Sequence, residues 1–293
     1  SAADRDAKMF FRGDPASIRA ALAGIDVAIS TVADPQFELE RVVVELGARS
    51  INISSEVMPP GGHVSLKGSG LALVHAGLAP LGLQALIAKE LLREHPDAAR
   101  VEVAMIFSAS GASGRQGKEF AYHALTRLPF EPSRRIEFPP PIGTRKCFSA
   151  AIPDRDVLAA LAPEIEAGIY VGFGERMVHG AIAALRATRL IRVLPAALFV
   201  GSGGPSKAVA ATNELVRQWA AVYDVSGKRL AAMVTEGEGD CRTTALCALA
   251  FLEALLERLK TRKPIGTQGV ERLFTLDDLR PHLPPEVRIN EAR

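Results

Sequence analysis

The sequence predicts an α/β fold built on a doubly wound parallel sheet, and two observations carry this prediction. The first is "GIDVAISTVADPQFELERVVVELGARSINISSE", residues 24–56, which reads as a strand, a short loop, a helix and a second strand. The second is "LALVHAGLAPLGLQALIAKELLREH", which begins at residue 71 and repeats the order of strand and helix. Strand–helix–strand units of this length favour a parallel sheet with right-handed crossovers.

Local signals justify each element of this first unit. Asp14 followed by Pro15 is typical of a helix start and predicts a helix over 14–22. The strand at 26–31 has apolar residues at both alternating sets of positions, which predicts burial on both faces. A helix at 36–48 ends at Gly47. A strand at 50–55, a third strand that runs into a turn over 71–80, and a helix at 83–95 follow.

The pattern changes after about residue 98. The strand-like "RVEVAMIFSAS" leads into the glycine-rich loop "GASGRQG", and later strands and helices no longer alternate regularly. Such segments predict an α+β unit with an antiparallel or mixed sheet. We therefore expect an α+β domain at 99–261, inserted into an incomplete α/β domain formed by residues 1–98 and 262–293.

Composition and charge exclude several classes of protein. Of 293 residues, 48% are hydrophobic and 23% charged, as in a globular protein with a large core. A net charge of +2 gives no electrostatic reason to expect binding to nucleic acid or an anionic membrane. No apolar run approaches the ~20 residues of a membrane span. Three cysteines without a C-x-x-C motif fit a reducing compartment, so the cytoplasm is the expected location.

Five segments together resemble the saccharopine dehydrogenase-like reductases over most of the chain. They are "GIDVAIST", "GARSINISSE", "HAGLAPLGLQALIA", "EGEGDCRTTALCALAFLEALL" and "GVERLFTLDDLRPHL". The resemblance implies a Rossmann-like, two-domain oxidoreductase that uses NADP or NAD, acts on a small amino- or keto-acid substrate and forms a homodimer. The third segment departs from the family, because Ala79 and Leu81 replace its usual Asp and Gly. This departure argues against saccharopine itself as the substrate.

The beginning of the family pattern is not found in this sequence. A family member is expected to begin with a strand, a G-x-G-x-x-G loop and a helix, yet no such loop occurs before residue 26. We expect that further residues upstream complete the dinucleotide-binding unit. The alternative is a non-catalytic ligand-binding or scaffold protein that has lost this ability.

Candidate cofactor contacts follow from the rule that open α/β sheets bind ligands at the carboxyl ends of their strands. Thr31, Val32 and Ala33 follow the first strand, and Asn52 and Ser54 end the next one. The resemblance also places an acidic ribose-binding residue near the N-terminus. There Asp4 would favour NAD through the ribose 2′-hydroxyl, whereas Arg5 could hold the 2′-phosphate of NADP. The alternative for both is a solvated terminus.

Two residues are candidates for proton transfer. Glu56 follows the second strand and could contact a substrate amine or hold a water molecule, although it could also cap a helix. His75 ends the third strand and could donate a proton, because histidine titrates near neutral pH. A histidine there could instead be satisfied by the backbone.

The substrate is expected between the two domains. Pro80 lies in the turn after the third strand, and the loop at 108–118 contains Ser113, Arg115 and Lys118. Arg115 and Lys118 could hold a carboxylate of the substrate; an ordinary flexible loop is the alternative. No metal is expected, because the carboxylates of "EGEGD" (236–240) have no histidine near them in the sequence.

Overall fold

The structure is a computed structural model that describes residues 14–31, 38–53, 69–78, 82–107, 122–123, 125–126, 133–150, 154–174, 176–193, 195, 215–261 and 265–292. The strands within these ranges are β1 (Val27–Ser30), β2 (Arg49–Asn52), β3 (Leu71–Val74), β4 (Arg100–Phe107), β5 (Arg134–Glu137), β6 (Thr144–Ser149), β7 (Glu166–Phe173), β8 (Leu215–Tyr223), β9 (Arg229–Glu238), β10 (Gly266–Gly269) and β11 (Arg288–Glu291). The helices are α1 (Pro15–Leu22), α2 (Glu38–Glu45), α3 (Gly82–Glu94), α4 (Asp154–Leu161), α5 (Arg176–Ala187), α6 (Asp240–Thr261), α7 (Val270–Leu273) and α8 (Leu276–Leu279), with 3₁₀ turns at Leu190–Arg192 and Arg280–His282.

The first sheet is parallel throughout the described residues, with the strand order β1-β2-β3-β10. Together with the intervening helices it confirms the α/β class that the sequence predicts. Asp14 caps α1 by accepting a hydrogen bond from the backbone N–H of Ala16 at 3.0 Å, and Gly47, with φ +71°, follows α2 as expected. Strand β10 was not predicted, because "GTQG" contains no apolar run that would signal a strand.

One detail of the sequence prediction is wrong. The first strand was expected to be buried on both faces, but β1 lies at the edge of the described sheet and pairs only with β2 there. Ile29 on this strand is 42% exposed. The positions of apolar residues along a segment do not show which strands pair with it, so the pattern could not distinguish an edge strand from a central one.

The second sheet is mixed, as expected for the middle of the chain. Its strand order is β11-β9-β8-β4-β7-β6-β5; β4 and β7 are parallel and the other pairs are antiparallel. The chain leaves the parallel sheet after β3 and returns to it at β10. It then crosses again, because β11 pairs with β9 rather than with the first sheet. Residues 288–291 therefore belong to the mixed sheet, although the predicted domain division assigns them to the first domain.

One continuous hydrophobic core joins the two sheets. It includes Leu73 of the parallel sheet, Val103 of the mixed sheet, and Leu86 and Phe251 from α3 and α6. Helix α3 contacts β4, β8 and β9 on one side and α7 and α8 on another. This packing fixes the C-terminal segment, which contains β10 and α7, beside the ends of the parallel strands.

The opposite face of the mixed sheet contains a buried ionic cluster. Glu102 on β4 is 1% exposed, and its Oε1 lies 3.0 Å from Arg100 Nε and 3.1 Å from Arg134 Nε. The hydroxyl of Tyr170 donates to the same oxygen at 3.4 Å. Burial raises the pKa of Tyr170, which keeps that hydroxyl protonated. Three strands, β4, β5 and β7, are thereby tied to one carboxylate.

None of the described helices is both long enough and apolar enough to cross a bilayer.

Candidate functional site

The carboxyl ends of the parallel strands form one edge of the first sheet. Ser30 at the end of β1 is paired in register with Asn52 at the end of β2, and Val74 at the end of β3 is paired with Gly269 at the end of β10. Beyond the last pairs, the N–H of Ala76 donates to the carbonyl of Asn52 at 3.0 Å. This edge therefore brings the residues that follow β3 beside the end of β2.

Asn52 is buried at this edge and bonded to a buried carboxylate. Its Nδ2 donates to Oε1 of Glu40 at 2.6 Å, and Glu40 lies fully buried on α2. Ser30 is also buried, whereas Thr31, the next residue, is exposed. The α2 crossover thus supplies a carboxylate that fixes the orientation of the Asn52 amide, a role that the sequence analysis did not assign to Glu40.

His75 follows β3 directly and is held in an uncommon backbone conformation. Its φ is +61°, in the left-handed region that few residues other than glycine adopt. The ring is 6% exposed, and Nδ1 lies 3.4 Å from Oε2 of Glu271. This distance is long for a hydrogen bond but within reach of an ion pair. Nε2 is buried and has no hydrogen-bond partner among the residues that the structure describes.

Glu271 reaches His75 from a part of the sequence almost two hundred residues away. It lies on α7, immediately after β10 has joined the parallel sheet beside β3. A Cβ on Gly269 would lie 2.0 Å from Oε1 of Glu271, so the glycine leaves room for the carboxylate. Lys89 on α3 donates to the carbonyls of Glu271 and Phe274 at 3.0 and 3.1 Å and holds this short helix in place.

The carboxyl of Glu271 remains ionised despite its burial. Burial raises its pKa, but the hydrogen bond with His75 and the charge of that ring lower it by more in total, with smaller help from its own N–H and from Arg272. The net pKa lies below the ordinary value of 4.5. A buried histidine–carboxylate pair at the carboxyl edge of a parallel sheet can accept and donate a proton there.

The pair should contribute to stability in a pH-dependent way. A carboxyl whose pKa is lower in the folded state stabilises the fold above its unfolded pKa, and this contribution is lost as the pH falls through the folded pKa. We expect Glu271→Gln to lower the free energy of unfolding by about 1–3 kcal/mol at neutral pH. The difference from wild type should shrink once the pH falls below 4.5. Urea unfolding at a series of pH values measures it.

The matched control for this measurement is Glu94→Gln, at an exposed position on α3. It should change stability by no more than a few tenths of a kcal/mol at any pH. A difference between wild type and Glu271→Gln that stayed constant from neutral to acid pH would contradict the ionised state of this carboxyl.

Several predicted site residues lie outside the described ranges. They are Asp4, Arg5, Val32, Ala33, Ser54, Glu56, Pro80, Ser113, Arg115 and Lys118. Of the predicted residues that are described, Asn52 and His75 lie at the same edge, and Thr31 directly follows β1. Sequence reasoning missed Glu271 and Glu40. The available sequence signal for Glu271 was its position two residues after the "GTQG" strand, but this strand was not predicted.

No protein-family model and no curated protein matches the chain. Among solved structures, the chain is similar to the engineered D-amino acid dehydrogenase bound to NADP+, with 15% sequence identity and a TM-score of 0.42, covering 93% of this chain and 82% of that chain. A likeness this weak carries no argument about activity. The α/β class therefore rests on the strand order described above.

Proposed function

We propose that this protein is an NAD(P)-dependent oxidoreductase that transfers a hydride between the cofactor and a small substrate of the amino- or keto-acid type. The observation that carries the proposal is the buried His75–Glu271 pair at the carboxyl edge of a parallel sheet. That edge is where open α/β sheets bind ligands, and a histidine oriented by a carboxylate is suited to proton transfer. Glu56 is kept as the second candidate for this role.

The residues present fit one end of a nicotinamide dinucleotide. Thr31 is exposed just after its strand and offers a hydroxyl that suits a ribose, whereas Ser30 and Asn52 lie buried beside it at the adjacent strand ends. We propose these contacts, with Val32, Ala33 and Ser54, for the nicotinamide half. When bound, the cofactor supplies or accepts the hydride. Asp4 or Arg5 would determine whether the protein prefers NAD or NADP. The sequence given contains no G-x-G-x-x-G loop for the pyrophosphate.

The remaining parts of the proposal concern the substrate and the assembly. Pro80, Ser113, Arg115 and Lys118 would contact the substrate, with the two cations holding its carboxylate. The pocket would lie between a dinucleotide-binding domain (1–98 with 262–293) and an inserted α+β domain (99–261). The α+β domain would also form the interface of a homodimer in the cytoplasm. These assignments follow the family resemblance and the position of the chain segments.

A second candidate function is a non-catalytic ligand-binding or scaffold protein. It is favoured by one observation, the burial of the His75–Glu271 pair, whose side chains are 6% and 7% exposed. In that case the His75–Glu271 pair would serve only to join β3 to the C-terminal segment. The two functions differ in what they predict for cofactor binding.

Calorimetry with NADP and NAD tests the proposal. The comparison is between the chain of 293 residues and a chain extended at its N-terminus by any residues that its gene encodes upstream. The extended chain should bind one of the cofactors with micromolar affinity, and the shorter chain weakly, because helix N-termini and glycine loops supply the pyrophosphate contacts. Failure of both chains to bind would favour the scaffold. Equal, tight binding by both would mean that the pyrophosphate lies elsewhere, as at "GASGRQG".

A further inference from the structure

The hairpin of β5 and β6 places two positive charges directly opposite each other. Arg135 on β5 is paired in register with Lys146 on β6, and both residues are exposed. Neither of them has an ion pair with another described residue. Glu137 is the only acidic residue of this hairpin, and it lies opposite Thr144. Like charges that face each other across an antiparallel pair of strands destabilise it.

Helix α5 lies over the same face of the hairpin. The ring of His179 on α5 stacks on the ring of Phe148 on β6, with 5.0 Å between the centroids and 18° between the planes. Phe148 follows Lys146 by two residues, and side chains two residues apart on a strand point to the same face. Lys146, its cross-strand partner Arg135 and His179 therefore lie on one side of the sheet.

The pKa of His179 shows that positive charge predominates at this place. It lies below the ordinary value of 6.5, chiefly because of burial, and the charges of Arg145 and Lys146 lower it further. Arg145 donates to the carbonyls of Thr144 and Gly174 at 3.1 and 3.4 Å and has no carboxylate partner among the described residues. The imidazole of His179 is therefore mostly neutral at pH 7 beside two cations.

We propose that the surface formed by Arg135, Lys146 and His179 binds the phosphate group of a small molecule. A phosphate group carries close to two negative charges at neutral pH and has three acceptor oxygens, so it can accept hydrogen bonds from both opposed cations. Its charge replaces their mutual repulsion by attraction and favours a proton on His179. The two cations are exposed and open to a ligand from solvent, whereas Phe148 is 3% exposed and offers no face on which a nucleotide base could stack. The recognised group is therefore the phosphate itself.

Nuclear magnetic resonance of His179 tests binding at the site itself. The ¹⁵N-histidine-labelled chain is titrated with acid in the presence and absence of inorganic phosphate, at equal ionic strength, and the His179 signals are assigned by their loss in His179→Gln. Bound phosphate should raise the pKa of His179, because it offsets the charges of Arg145 and Lys146. An equal rise with chloride or acetate at the same ionic strength would show charge screening alone and would overturn the proposal, as would the absence of any rise.

Two substitutions test the opposed cations. Lys146→Gln and Arg135→Gln each remove one charge from an exposed position, and each should weaken phosphate binding about tenfold or more, the loss expected for one charge-assisted hydrogen bond. Without phosphate neither should lower the melting temperature, because the repulsion across the hairpin is removed. The control is Lys260→Gln at the end of α6, which packs against β9 and α8, and it should bind phosphate like the wild type. Equal affinity in all four proteins would contradict the assignment.

Two phosphate compounds distinguish the sources of the ligand. Inorganic phosphate and glycerol phosphate are compared by the same titration and by calorimetry, with glycerol as the blank. Binding of inorganic phosphate alone assigns the site to the free ion, and binding of both assigns it to the phosphate group of a larger molecule; either result supports the proposal. Failure of both to bind overturns it. Neither compound carries a nicotinamide, so the outcome is independent of the proposed function.

Discussion

We expect His75→Asn to lower turnover by about 10²–10⁴-fold, the usual effect of removing a general acid or base. The replacement is chosen for the backbone, because His75 has φ +61° and asparagine tolerates the left-handed region better than other residues with a side chain. Folding should therefore be largely preserved while the imidazole is lost. The measurement is steady-state kinetics on the first amino or keto acid that is found to change the absorbance of the cofactor, with cofactor affinity measured in parallel.

The control for this variant is His282→Asn. His282 also lies beside carboxylates, with Nε2 3.2 Å from Glu257, but it belongs to the 3₁₀ turn that packs on α6, away from the strand ends. Its replacement should leave turnover unchanged. Full activity in His75→Asn would remove His75 from the chemistry and leave Glu56 as the remaining candidate.

We expect Glu102→Gln to lower the free energy of unfolding by about 3 kcal/mol. Breaking a buried ion pair by removing one partner typically costs about 3–5 kcal/mol, because the remaining charges lose their compensation. We expect a loss of stability at the lower end of this range, because the side chain of Arg134 is 41% exposed and water can solvate its charge. Arg100, with 17% of its side chain exposed, is less able to recover solvation. Denaturant unfolding measures this loss of folding free energy, and the m value should be unchanged.

The comparison variant is Glu137→Gln, which removes an exposed carboxylate from β5 of the same sheet. Its effect should stay within about 0.5 kcal/mol. Equal stabilities of the two variants would mean that the Glu102 cluster contributes nothing beyond a surface ion pair. Because Glu102 lies on the face of the mixed sheet away from the shared core, its replacement should leave cofactor binding unaffected.

The elements with a strong local signal could be predicted from the sequence. Three such signals are Asp14 and Pro15 at the start of α1, Gly47 at the end of α2, and the apolar run of α6. Each determines the conformation of residues close to it in the chain, so the local sequence is enough to predict these elements. The strand–helix alternation likewise predicted parallel pairing of β1, β2 and β3. Strand β10 was missed because a segment with two glycines acquires its strand conformation only by pairing with β3.

The candidate site was predicted in part. His75 and Asn52 were found because a polar residue at the end of a buried strand points to the ligand-binding edge of the sheet. Glu271 and Glu40 were not found, because each becomes a partner only when a distant element packs beside a strand end. For Glu271 this element is α7, which β10 brings to the sheet, and for Glu40 it is the crossover helix α2. The sequence separation of 196 residues between His75 and Glu271 leaves no local pattern that could connect them.

The sequence by itself determined the α/β class, most strand and helix positions and the two polar residues at the carboxyl edge, because these depend on local periodicity, capping and side-chain type. The tertiary structure decided that β1 lies at the edge of the described sheet, that β10 joins β3, that β11 joins β9, and that His75 meets Glu271. Strand neighbours are selected by long-range backbone hydrogen bonds and by burial of whole faces. Such choices depend on every element at once, and so no single segment of the sequence encodes them.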